Sequence, residues 1–158
     1  MPASPPYGAY ATLVGIYSGS LATAGLLARL LGRTPTTETA LDLGVLAAAS
    51  FKAARTIARD EVTSFARQPF VEGEAHTGEG EEPVQSGGMQ QAIGELVTCT
   101  RCIGTWTAAG LTATQILAPR FGRLLTWSLA AAAANDFLQA GFAALTAKAN
   151  ELEQRTSS

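Results

Sequence analysis

LLTWSLAAAAANDFLQAGFAALTA, residues 124–147, has one charged side chain, Asp136, in 24 positions. As a helix it is about 36 Å long, more than the roughly 30 Å of a bilayer's hydrocarbon core. A soluble surface helix of this length shows charges on the side turned away from the core. This one does not, and neither do two other stretches. Tyr10 to Leu31 has only Arg29 in 22 residues, and residues 103–118 have no charge. A chain of 158 residues makes one domain. It is too small to bury three or four helices that are apolar all round. The competing soluble reading, a four-helix bundle with an alanine-rich core, draws on the five consecutive alanines at 130–134 but lacks a polar face. The expected fold is therefore all-α: a small helical membrane bundle of about four helices, with an acidic loop between helices 2 and 3.

Working outward, the ends of 103–118 and 124–147 lie close in sequence and predict an antiparallel hairpin broken at Pro119. Upstream, Leu41 to Phe51 is apolar apart from Asp42 and Ser50, and the helical pattern continues through Lys52, Arg55 and Arg59 on one face. Residues 71–88 hold five Glu, five Gly and the only His, His76, with too few large apolar residues for a core, so they read as a mobile acidic loop. A short amphipathic helix follows at 89–97. The expected divisions are a loose tail at 1–9, an extra N-terminal transmembrane helix with its connector at 10–38, a membrane domain at 39–147 and a polar tail at 148–158.

The formal net charge of −2 gives no basic footprint for nucleic acid. Two cysteines cannot make a disulfide framework. Residues 10–31 lack the basic leader of a signal peptide. If four helices span, the N-terminus, the 60–102 segment and the C-terminus share a side with Lys52, Arg55, Arg59, Arg67, Arg101, Lys148 and Arg155. The other side has Arg29, Arg33, Arg120 and Arg123. The positive-inside rule then puts the cysteine loop in the cytoplasm. The first helix alone points the other way. If helix 2 only lies along the interface, the cysteine side is still the basic one.

Three constellations could carry chemistry. Cys99-x-x-Cys102 precedes an apolar helix whose free N–H groups favour a thiolate. It can be simple packing, a redox or disulfide pair, or half of a zinc site completed by a second subunit. One chain has no other Cys and a single His, so a four-cysteine site and a site of two Cys and two His are both excluded within it. The basic face Lys52, Arg55, Arg59 starts near the hydrocarbon edge, where charge is costly unless the side chain snorkels. Asp136 sits halfway along its apolar segment and needs a partner, water or a proton. Lys52 and Arg55 are the available cations, with Glu95 as a second acid, which predicts that the last helix packs on helix 2. Such a cluster is either a structural clasp or an ion or proton site. Trp106 and Trp127 fit an interfacial belt or plain packing. Glycines 15, 19, 25 and 110 suggest close helix contacts.

At these residues the chain resembles the bacterial domain-of-unknown-function family 1360. LGVLAAASFKAARTIARDEVTSFARQPF (43–70), GELVTCTRCIGTW (94–106) and ANDF (134–137) carry the resemblance. It runs from about residue 40 to 145, and its most specific part is the Gly-Glu-Leu-x-x-Cys-x-x-Cys-x-Gly-x-Trp block. Members commonly have Pro after the first Cys, where this chain has Thr100. The resemblance implies a small integral membrane protein (some Bacillus members are labelled sporulation proteins). It marks Asp60, Gly94, Gly104 and Trp106 as structural motif positions beside Lys52, Arg55, Glu95, Cys99, Cys102 and Asp136. It implies no reaction.

The expected function is a non-enzymatic membrane subunit or scaffold in the bacterial cytoplasmic membrane, crossing it several times. Its partners are the lipid bilayer and either a membrane protein or a second copy, and no nucleic acid. The alternatives are a thiol-redox or metal-binding membrane protein using Cys99 and Cys102, and a small ion- or proton-conducting element centred on Asp136. No cofactor is expected, apart from the option of zinc between subunits.

Overall fold

Helix α1 spans Tyr7–Leu30 and ends in a Schellman turn. Gly32 there has a φ of +62°, and the Arg33 and Gly32 N–H groups donate to the Ala28 and Arg29 carbonyls. Only the face carrying Tyr10, Leu13, Tyr17, Ala24 and Ala28 is covered, a three-and-four spacing that packs on later helices. The computed structural model describes residues 5–33, 39–73 and 80–156. His76 and most of the 32–38 connector lie outside the described residues.

Helix α2, Ala40–Arg59, opens with a capping box in which Thr39 and Asp42 exchange side-chain to backbone hydrogen bonds. Its inner stripe is Ala49, Ser50, Ala54 and Ala58, all buried. Side chains this small let two neighbours approach closely, and α2 is the central helix of the bundle. After Asp60 the chain makes 3-10 turns at Glu61–Thr63 and Gln68–Phe70 around the four-residue helix α3, Ser64–Arg67. Strand β1, Val71–Glu72, pairs antiparallel with β2, Glu82–Pro83. Helix α4, Met89–Thr98, then lies against this cap and against α1, α2 and α5. Cys99 is extended and separates α4 from α5, Thr100–Leu117. Helix α6 runs from Pro119 to Thr156.

The fold is all-α apart from the two-residue ladder, but the helix count differs from four. Among the described residues four long helices are joined by α3 and α4 of the cap. The break between the last two long helices shrinks to Ala118, and Pro119 starts α6, a position where its missing N–H costs nothing. Gly122 makes that corner possible: a Cβ there would come within 2.5 Å of the Gln115 backbone. Residues 148–156, expected as a tail, continue α6. Glycines 15, 19, 25 and 110 face open space, so they are not the helix contacts expected of them.

Among the described residues one helix, α1, is long and apolar enough to cross a membrane. Large apolar side chains stand exposed on α1, α2 and α6, among them Val14, Leu26, Leu43, Leu124, Phe137 and Phe142.

Candidate functional site

The cap is built around a buried ion pair that the sequence reading did not find. Arg67 donates from Nε and Nη2 to the two carboxylate oxygens of Glu81, at 2.8 and 3.0 Å. Its Nη1 donates to the carbonyls of Ile57 and Asp60 and to the Thr63 hydroxyl. Both charged side chains are 1% exposed. Thus the motif position Asp60 works through its carbonyl, which ties the end of α2 to the cap. Glu81 belongs to the stretch expected to be mobile. Its described part is instead anchored, because a carboxylate buried against a guanidinium whose three nitrogens all have partners cannot easily leave. The only signal for Arg67 in the sequence was its place in the segment 43–70, and Glu81 had none among five similar glutamates.

Gly94 explains itself in the same region. A Cβ there would lie 2.4 Å from the Phe70 carbonyl oxygen, so only glycine lets α4 seat on the cap. Gly104 faces Ala54 of α2 at ordinary contact distance.

The four residues expected as one polar cluster divide. Lys52 Nζ donates to Asp136 at 2.8 Å, with Phe51 stacked on Phe137 beside the pair, ring centres 5.7 Å apart. Asp136 closes the inner stripe of α6 that begins Gly122, Thr126, Leu129, Ala133. Arg55 is exposed and does not join the pair. Glu95 turns to the opposite side of the bundle, where it accepts from the Tyr10 hydroxyl and from Gln91 Nε2 at 2.9 Å. The depth of Asp136 also differs from expectation. Lys52 lies between Ser50, whose carbonyl accepts from Thr107, and Ala54, which meets Gly104. The pair is therefore level with residues 104–107 of α5, roughly 10 Å from Cys99 along the helix axis. It sits toward the cap half of the bundle: α2 runs on for seven residues beyond Lys52 to Arg59, and α6 runs on past Asp136 to Thr156.

Cys99 and Cys102 form a disulfide with Cα atoms 5.2 Å apart. Cys99 is also the N-cap of α5, its Sγ accepting the Cys102 N–H at 3.2 Å. Cys102 is exposed and lines a groove of about 470 Å³ between α1, α4 and α5. Trp106 meets Tyr17 edge-to-face at 5.2 Å along the same groove, and Glu95 with Tyr10 forms its polar wall. A volume of this size holds a small organic molecule. Zinc between subunits would need the reduced pair, since disulfide sulfurs are not thiolates. Trp127 lies near the other end of the bundle under the Arg123 guanidinium, 5.7 Å from its ring centre.

No curated protein and no solved structure matches the chain. The family described as "Protein of unknown function (DUF1360)" matches residues 45–142, from within α2 through the cap and the cysteine block to the middle of α6. With more than half of its length covered, including the Lys52–Asp136 clasp, Gly94, both cysteines and Trp106, this chain belongs to the DUF1360 family.

Proposed function

We propose that the protein is a multi-pass protein of the bacterial cytoplasmic membrane whose Cys99–Cys102 pair works as a thiol–disulfide couple at the rim of a four-helix bundle. Helices α1, α2, α5 and the first part of α6 cross the bilayer, with the cap and the cysteines on the cytoplasmic side. The exposed apolar side chains of α1, α2 and α6 support the spanning arrangement. Tyr10, near the start of α1, bonds Glu95 just before Cys99, which supports the N-terminus and the cysteines sharing a side.

One observation carries the redox reading: the disulfide occupies the N-cap of α5, with one sulfur exposed to a groove. Reduction would leave the Cys99 sulfur facing a helix N-terminus, whose N–H groups and dipole stabilise a thiolate. Disulfides that face the cytoplasm are usually transient and catalytic or redox-sensing, so a pair on that side works by cycling. Lys52 and Asp136 serve as a clasp between α2 and α6.

The test is alkylation trapping in isolated membranes. The chain should sediment with membranes through alkaline extraction, and its two thiols should become alkylatable after mild reduction and be protected again after a disulfide oxidant. Release by alkali would overturn the membrane arrangement. A pair whose thiols react like those of free cysteine, and which never re-forms the disulfide, would overturn the couple. A second reading, a non-enzymatic subunit or scaffold, is favoured by α6 beyond Phe137. There Leu138, Phe142, Leu145 and Leu152 stand exposed without intramolecular cover, a surface suited to a membrane partner or a second copy.

A further inference from the structure

We infer that the groove between α1, α4 and α5 binds the ring of a lipid-soluble quinone, which takes the electrons of the Cys99–Cys102 pair. The inference rests on the redox reading above and names its electron acceptor. Four observations converge on this groove. Its volume of about 470 Å³ suits a substituted ring with the beginning of a tail. Its walls are aromatic, with Trp106 and Tyr17 set edge-to-face, surfaces on which a flat ring stacks. Its polar groups stand together on one wall: the Tyr10 hydroxyl on the Glu95 carboxylate, itself fixed by the buried Gln91. Such a hydroxyl–carboxylate pair can bond a quinone or quinol oxygen and relay its proton. Finally, Cys102 lies on the lining itself, so a bound ring reaches one sulfur of the couple. The lining includes Leu13 and Val14 of α1, whose outer face is apolar and exposed, an approach for an acceptor dissolved in lipid and not in water.

The overall reaction is dithiol plus quinone to disulfide plus hydroquinone. The Cys102 thiolate adds through sulfur to a ring carbon, and the displaced electron pair moves to a carbonyl oxygen. The Cys99 thiolate then attacks the Cys102 sulfur. The S–S bond forms, the carbon–sulfur bond breaks, and its electron pair stays with the ring. The sulfurs lose two electrons, the quinone gains two, and the two thiol protons end on the two hydroquinone oxygens.

The experiment uses the full chain in detergent, reduced, desalted and kept anaerobic, with ubiquinone carrying one isoprenoid unit as the probe. One hydroquinone should form per chain as two thiols disappear, followed by quinone absorbance and thiol titration. In a Cys99→Ser/Cys102→Ser chain that also carries Trp127→Phe, the same quinone should quench the fluorescence of Trp106, the remaining tryptophan. Val14→Trp, at an exposed position on the groove wall, should slow oxidation by quinone at least tenfold more than it slows oxidation by glutathione disulfide. Oxidation by glutathione disulfide without quinone reduction or Trp106 quenching overturns the quinone site and leaves the couple standing. A stable thioether adduct in the mass spectrum, with no disulfide formed, overturns the turnover step. Failure of both oxidants to re-form the disulfide overturns the couple and this inference together.

Discussion

Two ion pairs among the described residues, one in the cap and one in the bundle, are built on opposite terms. In the cap, Arg67 and Glu81 are wholly buried, meet through two parallel hydrogen bonds, and Arg67 also holds the Ile57 and Asp60 carbonyls and the Thr63 hydroxyl. In the bundle, Lys52 and Asp136 meet through one contact, with side chains 20% and 41% exposed. The cap is short of apolar residues, so its polar segments are organised around a charge that every neighbour must satisfy. The bundle gets its cohesion from small residues packed along α2, and its ion pair closes only the end of one seam.

That contrast is broken most sharply by Glu81→Leu. It strands the Arg67 guanidinium in the interior, at a cost of about 3–5 kcal/mol. Proteolysis within residues 60–88 should become fast while the long helices stay protected. Restoring electroneutrality with Arg67→Met should not rescue the cap, because the Ile57 and Asp60 carbonyls lose their donor. Protection of the double variant at the level of the parent would show the pair to be replaceable. The next effect in size is Gly94→Ala, where a methyl group would press on the Phe70 carbonyl from 2.4 Å. A loss of about 1–3 kcal/mol is expected, read as earlier thermal release of the cap, with the bundle's helical signal unchanged. The smallest effect belongs to the bundle clasp. Asp136→Leu alone should cost about 1 kcal/mol, and Lys52→Leu/Asp136→Leu should return to within about 0.5 kcal/mol of the parent, since a pair this open contributes little beyond covering its own charges. Thermal unfolding in mild detergent measures both. A double variant worse than the single would make the bundle pair resemble the cap pair.

Some of this was legible in the residues. The apolar lengths of 10–31, 103–118 and 124–147 announce long helices. The pairing of a cation on helix 2 with Asp136 was expected because a lone acid in an apolar run needs one. What was misread shares a cause. Glu81 and Glu95 look like many other glutamates, and their partners, Arg67 and Tyr10, are 14 and 85 residues away. Placing Glu95 with Lys52 and Arg55 was reasonable by charge alone. The structure turns it toward Tyr10 because α1 packs on α4 and α5, while α2 and α6 close on each other across the bundle.

The sequence by itself determined the helical character, the greasy surface of the long segments and the cysteine pair at a helix start. Those properties depend on neighbours within a few turns, where spacing and side-chain type suffice. Only the tertiary structure decided which acid meets which base, that the acidic stretch contributes a buried anchor, and that a sulfur, an acid and aromatic rings line one groove. Each of those depends on how separate helices are rotated and stacked. Close approaches that small residues permit, such as Gly104 to Ala54 and Gly122 to the Gln115 backbone, set that arrangement, and no local pattern encodes them.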